Sequence, residues 1–470
     1  MSAPSPLSAA PETFALRRGR GVISLHATGL RHPAQLSGES FTAYPDITHL
    51  VDTGRALRMG TRSSVYRFPA TLFADPQGKE RLQQALRERI AREPGGAAQL
   101  ARMADLDQLR RSPGRARATL VLAVACILVY GLERRFDPDL ALAGIFSTTL
   151  FRAGEFWRVL SANLLHADAH HLIANLLFML GLGALVEVSL GTARTAFVMG
   201  ASALGAMGAS LATGYEQALG ASGIVLGLLG AALWLELRCT HRLPATWRVP
   251  RRLLLVVLAF AAATSVFYQG VAGAAHLGGF ALGTIAAATV APSALRREAA
   301  RPWLTLANAA FALCVLLSIA AVAREVRGDA NLLARRGVRL LRLPDVSPLL
   351  LNNTAWMIAT SKRPTEEQVA VAVRLAERAV EATNHEDPNL LDTLAESQFA
   401  AGRAEDAVAT IDEAIALRPQ QPYFAEQRRR FTGERAPDDR PAPPPEDEEA
   451  PPPSPRHPPA VEPENPGVNV

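Results

Sequence analysis

Cysteine is scarce in this chain: Cys126, Cys239 and Cys314 are too few and too scattered for a disulfide framework or a thiolate metal site. Charge is thin, with Asp, Glu, Lys and Arg making up 20% of the residues. Aromatics make up 6% and do not interleave with basic residues, so the net charge of +5 carries no nucleic-acid footprint and no nucleic-acid partner is expected. No cleavable signal peptide is expected, because a long polar stretch from Met1 to about Ala116 comes before any apolar run. Inverted repeats and half-helices bearing mid-membrane charge are also missing, which argues against a transporter.

Apolar residues are what the chain has in excess. They form 49% of it and concentrate between about 117 and 323. A helix needs roughly 17 to 25 largely apolar residues to cross a bilayer. Seven runs are candidates, at about 117–132, 171–190, 195–213, 222–237, 253–268, 271–291 and 303–323. Arginines cluster at Arg110, Arg111, Arg115 and Arg117, at Arg238, Arg242, Arg248, Arg251 and Arg252, and at Arg296, Arg297 and Arg301. With seven spans these clusters share one face, which puts the N-terminus in the cytoplasm and the C-terminus outside. Arg324, Arg327, Arg335, Arg336, Arg339 and Arg342 lie on the other side and oppose that orientation only for the last span. The Ala- and Arg-rich composition and the lack of targeting signals point to a multi-pass protein of a bacterial inner membrane.

Two polar residues interrupt this pattern. Ser222 in Gly220-Ala221-Ser222-Gly223 and His276 in Ala275-His276-Leu277-Gly278-Gly279 each stand near the start of an apolar run. An ionisable residue at membrane depth is costly and marks a functional site by default. Serine with histidine is the minimum set for covalent acyl transfer, since imidazole can take the hydroxyl proton. Gly220 and Gly223 let the backbone turn at Ser222 and let a neighbouring helix come close. His276, Gly279 and Gly283 share one helical face, so two small-residue faces can pack until Ser222 and His276 meet near the external surface. Acyl transfer also needs donors for an oxyanion. His171 and Asn175, four residues apart on the second span, project from one side near that same surface, and the Ser222 amide is a third donor.

Taken in order, Gly154-Glu155-Phe156-Trp157-Arg158, His166, His171-x-x-x-Asn175, Glu187, Gly220-Ala221-Ser222-Gly223 and Ala275-His276-x-x-Gly279-x-x-x-Gly283 resemble the rhomboid intramembrane serine proteases over about 117–291. The resemblance implies a six-helix core with the run near 303–323 as a seventh helix. It implies Ser222 as nucleophile and His276 as general base with no acidic third member. His171, Asn175 and the Ser222 amide would form the oxyanion hole. Trp157 and Arg158 would belong to a first external loop lying partly in the membrane beside the site. Many members carry an aromatic residue four positions after the nucleophile, stacked on the histidine; here it is Leu226, which can still pack against an imidazole but loses that face contact, a departure that bears on rate and not on mechanism.

His166 and His170 are four apart but no glutamate follows as in zinc-protease helices, so His166 reads as a hydrogen-bonding support for the first loop; neither metal nor cofactor is expected. Glu187 reads either as a snorkelling interfacial carboxylate or as a packing support, and Tyr215 and Glu216 as solvated loop residues. Substrates are expected to be transmembrane segments of membrane proteins, rich in small or helix-breaking residues, because an intact helix cannot offer its carbonyl to a nucleophile. The competing reading is a non-catalytic membrane scaffold that binds transmembrane clients.

The expected fold class is thus an all-α polytopic membrane protein over 117–323, flanked by soluble parts. Residues 1–116 read as a β-rich cytoplasmic domain. Alternation at 21–27 and 64–68 fits strands. A helix follows Asp75-Pro76, with Leu82, Ala85, Leu86 and Ile90 on one face. Strands followed by a helix resemble a pleckstrin-homology-like module, binding lipid headgroups or protein, though a plain β-rich domain fits equally. Residues 345–430 resemble tetratricopeptide repeats, with Ala, Gly and Pro where two helices pack, turn and end. Two repeats are few and are expected to lean on helices near 329–341 and 421–430. Such a region offers a surface for a protein partner, or serves as a spacer. From 434 to 470 the chain is Pro-rich and acidic and is expected to be disordered.

Overall fold

The computed structural model describes residues 11–17, 21–34, 38–111, 116–136, 139–267, 272–295, 298–327 and 329–442. Two compact units divide it, the first ending at Arg327 and the second beginning at Gly328.

The first unit opens with seven antiparallel strands: β1 (Glu12–Ala15), β2 (Val22–Leu25), β3 (Gly29–Pro33), β4 (Glu39–Ala43), β5 (Ile47–Asp52), β6 (Ala56–Thr61) and β7 (Val65–Pro69). They form a four-stranded sheet in the order β1-β2-β3-β4 and a three-stranded sheet β5-β6-β7. The expected helix follows as α1 (Gly78–Arg92), burying Leu82, Ala85, Leu86 and Ile90 as its spacing predicts. A second helix, α2 (Gly96–Arg111), was not foreseen. Its apolar stripe is narrow, and part of its attachment is polar: the Gln99 amide donates to the carbonyls of Tyr44 and Ile47, each at 2.8 Å.

A helical region follows, made of α3 (Arg117–Phe136), α4 (Asp139–Gly144), α5 (Thr148–Arg152), α6 (Arg158–Ser161), α7 (Ala169–Leu190), α8 (Thr192–Ala212), α9 (Ser222–Arg238), α10 (Arg251–Phe267), α11 (Gly273–Leu295) and α12 (Pro302–Val326). Each of the seven expected apolar runs is a helix, with ends displaced by about a turn or less. By length and composition, α7, α8, α11 and α12 are long and apolar enough to cross a membrane. Leucines and phenylalanines exposed along α3, α7, α10 and α12, such as Leu128, Leu177, Phe260 and Leu316, give these helices apolar outer faces suited to hydrocarbon.

Glycine sets how closely the central helices approach. A Cβ on Gly279 would stand 2.7 and 2.8 Å from the backbone carbon and Cα of Gly223, and one on Gly283 would stand 2.8 Å from the backbone carbon of Gly227. Backbone therefore rests on backbone between α9 and α11, as the small-residue spacing predicts. At the other end of α9 the β-rich domain docks on the loop joining α9 to α10. The Ala245 N–H donates to His49 Nδ1 at 3.0 Å, leaving the ring proton on Nε2 to face Asp107 Oδ1 at 3.2 Å. Arg248 pairs with Glu236 at the foot of α9 and donates to the Thr61 carbonyl on β6.

The second unit is helical: α13 (Ala330–Leu340), α14 (Pro348–Ala359), α15 (Glu366–Ala382), α16 (Pro388–Ala400), α17 (Ala404–Leu417) and α18 (Pro422–Phe431). A capping box between Thr365 and Gln368 starts α15, and Gly402, at φ +73°, makes the turn between α16 and α17. The expected pairs α14–α15 and α16–α17 are in contact, with α13 and α18 at the flanks. One expectation is corrected. Residues 434–442 are not loose: Arg430 donates to the Pro437 carbonyl at 2.9 Å, and Arg440 reaches Glu396 at 2.7 Å. Glu396 is buried on α16 and takes both Arg430 and Arg440 as partners, which draws the start of the polar tail back onto the helices. The remainder of that tail, 443–470, lies outside the described residues.

Candidate active site

Ser222 is the first residue of α9, so its amide is among the N-terminal donors that find no partner within the helix. Gly220, two residues earlier, has φ +114°, a backbone state that side chains rarely adopt, and turns the chain into the helix. His276 lies in the first turn of α11. Its Nε2 is 2.8 Å from Ser222 Oγ, and its Nδ1 is 2.9 Å from the hydroxyl of Ser265 on α10. The spacing argument thus holds for the serine–histidine encounter. It missed Ser265, whose only sequence sign is a hydroxyl in an apolar run.

His171 and Asn175 come to the same place from α7. A Cβ on Gly220 would lie 2.7 and 2.8 Å from His171 Cε1 and Nε2, so the glycine also makes room for that ring. The Asn175 side chain is buried, and its Nδ2 donor has no hydrogen-bond partner among the described residues. A buried unpaired donor calls for an explanation. Among the described residues no aromatic ring contacts His276, in keeping with Leu226 on α9.

The segment before α7 is held to this site by polar contacts. Arg158 is fully buried and pairs with Glu155 at 2.6 Å and with Glu325 of α12 at 2.9 Å, while donating to the carbonyls of Leu142 and Ile145. Ser318 of α12 donates to the Trp157 carbonyl at 2.8 Å. These contacts join the seventh helix to the loop beside the site, a role the sequence did not reveal because its two carboxylates are 170 positions apart in the chain, Glu155 and Glu325. Tyr215 and Glu216 are not merely solvated. Glu216 accepts from the Ser147 and Thr149 hydroxyls at 2.8 and 2.9 Å, the Tyr215 carbonyl accepts from Thr148, and the Tyr215 hydroxyl accepts from the Ala274 N–H of α11. A bridge between Phe146 and Ala218 completes the seam. The loop leading to Ser222 is thereby stitched to α5 and to the helix bearing His276.

His166 is buried with its ring 5.1 Å from that of His171. His170 is wholly exposed, so the structure does not gather these histidines into one ligand set. Glu187, also buried, accepts from the Ala118 and Thr119 amides at 2.9 and 3.0 Å and from the Thr119 hydroxyl at 2.8 Å. It caps the first turn of α3 from outside that helix rather than reaching for an interface. A separate apolar groove of about 780 Å³ lies among α6, α8 and α12, lined by residues such as Trp157, Phe197, Phe311 and Leu317, and is not at the Ser222–His276 pair.

Fold and site together define a helical membrane protein in which a serine at a helix start faces a histidine from a neighbouring helix, beside a buried asparagine donor. Residues 153–293 match the Rhomboid domain. The chain is 32% identical over 154 residues to RHOMBOID-like protein 5 of Arabidopsis thaliana, a match covering 31% of this chain and 48% of the relative. It is 32% identical over 143 residues to RHOMBOID-like protein 4 of the same plant, covering 30% and 36%. It is 30% identical over 149 residues to the Rhomboid protease GluP of Bacillus subtilis (strain 168), covering 31% and 28%. The chain therefore carries a rhomboid domain and has rhomboid-family homologues, while spanning less than half the length of each of these relatives. They come from a plant and a bacterium alike and lend no weight to the expected bacterial membrane.

Proposed function

We propose that this protein is a rhomboid-type intramembrane serine endopeptidase that cleaves transmembrane segments of other membrane proteins. The observation that carries the reading is the 2.8 Å approach of His276 Nε2 to Ser222 Oγ. In the proposed reaction His276 takes the hydroxyl proton as Ser222 Oγ attacks the scissile carbonyl carbon. The oxyanion lies among the Ser222 amide, the Asn175 amide side chain and the His171 ring, with the positive end of α9 behind it. His276 then returns the proton to the departing amine, and water releases the acyl group by the same steps in reverse order. The unpaired Nδ2 of Asn175 supports its part, being a donor already in position for a charge that forms only during reaction.

The proposed topology has seven crossings, with the N-terminal domain cytoplasmic and residue 327 external. Support comes from the arginine clusters and from the contacts of the β-rich domain with the α9–α10 loop, at the end of α9 away from Ser222. The pairing of Glu325 with Arg158 supports α12 ending on the face where Ser222 lies. The N-terminal domain would bind lipid headgroups or protein, and the tetratricopeptide-like helices of the second unit a protein partner.

The test uses purified full-length protein in liposomes with a transmembrane substrate rich in small residues. The native chain is expected to cleave it and to react with a fluorophosphonate, and Ser222→Ala and His276→Ala are expected to do neither. A native chain inert toward several such substrates and toward the probe would leave the scaffold reading in its place.

A further inference from the structure

Ser265 is a polar side chain against His276 that neither the proposed reaction nor the motif series uses. It lies on α10, and its hydroxyl touches His276 Nδ1, the nitrogen facing away from Ser222. We infer that Ser265 is a positioning residue for His276, fixing the tautomer and ring orientation that let Nε2 accept the Ser222 proton. The inference rests on the Ser222–His276 reading above.

The proton inventory of the chain of contacts carries the argument. A serine hydroxyl holds one hydrogen and two acceptor lone pairs. Ser265 directs its hydrogen to the Ala261 carbonyl one turn back on α10, at 2.8 Å. Its oxygen can then meet His276 Nδ1, 2.9 Å away, only as an acceptor, so Nδ1 must carry the imidazole proton. A neutral imidazole has one N–H, and Nε2 is therefore bare and able to accept from Ser222 Oγ at 2.8 Å. Each hydrogen in the series Ala261, Ser265, His276, Ser222 has one donor and one acceptor. When Nε2 takes the Ser222 proton, the cation keeps its Nδ1–H on Ser265 and no group has to rotate. Ser265 stays neutral throughout and accepts no proton, so it differs from the carboxylate of a catalytic triad.

Leu226 gives this contact more to do. Without an aromatic ring against the histidine, the hydrogen bond at Nδ1 is the directional restraint on the ring besides the contact to Ser222 itself. Thr264, the neighbouring residue, supplies an internal control: its hydroxyl donates to the same Ala261 carbonyl at 2.9 Å, and among the described residues it makes no hydrogen bond to His276.

The experiment measures kcat and KM of the full-length protein in liposomes on the transmembrane substrate, together with the rate of fluorophosphonate labelling, for the native chain, Ser265→Ala, Ser265→Thr and Thr264→Ala. Losing one hydrogen bond of this kind should lower kcat about tenfold. Ser265→Ala is expected to show that fall with KM unchanged, and to slow labelling by the same factor. Ser265→Thr, which restores the hydroxyl, should recover both, and Thr264→Ala should match the native chain. Should Ser265→Ala lose its fold in a thermal melt, Ser265→Cys keeps the side-chain size with a weak acceptor and makes the same comparison. Native kcat and labelling in Ser265→Ala, or an equal loss in Thr264→Ala, would overturn the assignment while leaving the dyad intact. A native chain that neither cleaves nor labels removes the dyad and the positioning role together.

Discussion

Acidification should loosen the N-terminal domain from the α9–α10 loop, because the contact depends on an uncharged His49. The ring is fully buried, accepts the Ala245 N–H at Nδ1 and faces Asp107 through Nε2. Burial is the main influence and pushes its pKa from 6.5 down to about 4; Asp107 opposes that shift, while Arg110 and Arg87 reinforce it. Between those two values the released ring binds a proton and the docked ring does not, so stability rises with pH across the window. The contribution is complete above about pH 6.5 and is lost as the pH falls toward 4. At about 1.4 kcal/mol per unit, roughly 2.5 kcal/mol disappears by about pH 4.5. Hydrogen exchange of peptides covering 239–250 and 47–61, corrected for intrinsic rates and followed from about pH 7 to pH 4.5, reads this directly at the Ala245 amide. His49→Asn removes the titration and should start weaker but lose no further protection from this source. If the native protein and His49→Asn changed in parallel over that window, the reasoning would be refuted.

Other expectations concern the membrane region. Glu325→Gln leaves Arg158 paired with Glu155 but turns its ionic contact to α12 into a neutral one, and should lower thermal stability in detergent by about 1.5 kcal/mol, the low end for a hydrogen bond to a charged group; an unchanged melt would show that the pair does not hold α12. Gly279→Val places side-chain atoms against the Gly223 backbone, and overpacking of this kind costs about 1 to 3 kcal/mol. The forced separation of α9 and α11 should abolish fluorophosphonate labelling even where the protein remains folded, and retained labelling would contradict the close approach. Glu187→Ala uncaps the start of α3, with an expected loss of about 1 kcal/mol in a thermal melt; exchange at the Ala118 and Thr119 amides should rise, and unaltered exchange there would argue against the cap.

Much of this arrangement could be read from the sequence, because a bilayer imposes long apolar runs and leaves the exceptions conspicuous. Ser222 and His276 stand out as polar residues at the start of apolar runs, His171 and Asn175 by their four-residue spacing, and the glycines at 223, 279 and 283 announce a close helix pair by theirs. What escaped were contacts between segments distant in sequence. Ser265 looks like any packing serine until α10 sets it beside His276. Glu216 looks like a loop carboxylate until Ser147 and Thr149 are brought to it. The second helix of the N-terminal domain was hidden because Gln99 attaches it through an amide rather than through a broad apolar stripe. The docking of His49 on Ala245 could not be foreseen, since neither residue belongs to a pattern.

The clasp at the foot of α9 also bears on how the molecule can be taken apart. A shortened chain beginning at residue 117 would retain every helix from α3 onward and every residue around Ser222. It would also strip the Thr61 carbonyl from Arg248 and the imidazole from the Ala245 amide, leaving a buried guanidinium short of an acceptor beside Glu236. Glu236 and Ser222 lie at opposite ends of one rod of about 25 Å, at 1.5 Å per residue over α9. Dissection at that boundary is therefore not neutral, and a minimal membrane fragment would report on a differently anchored nucleophile helix from the one in the whole protein.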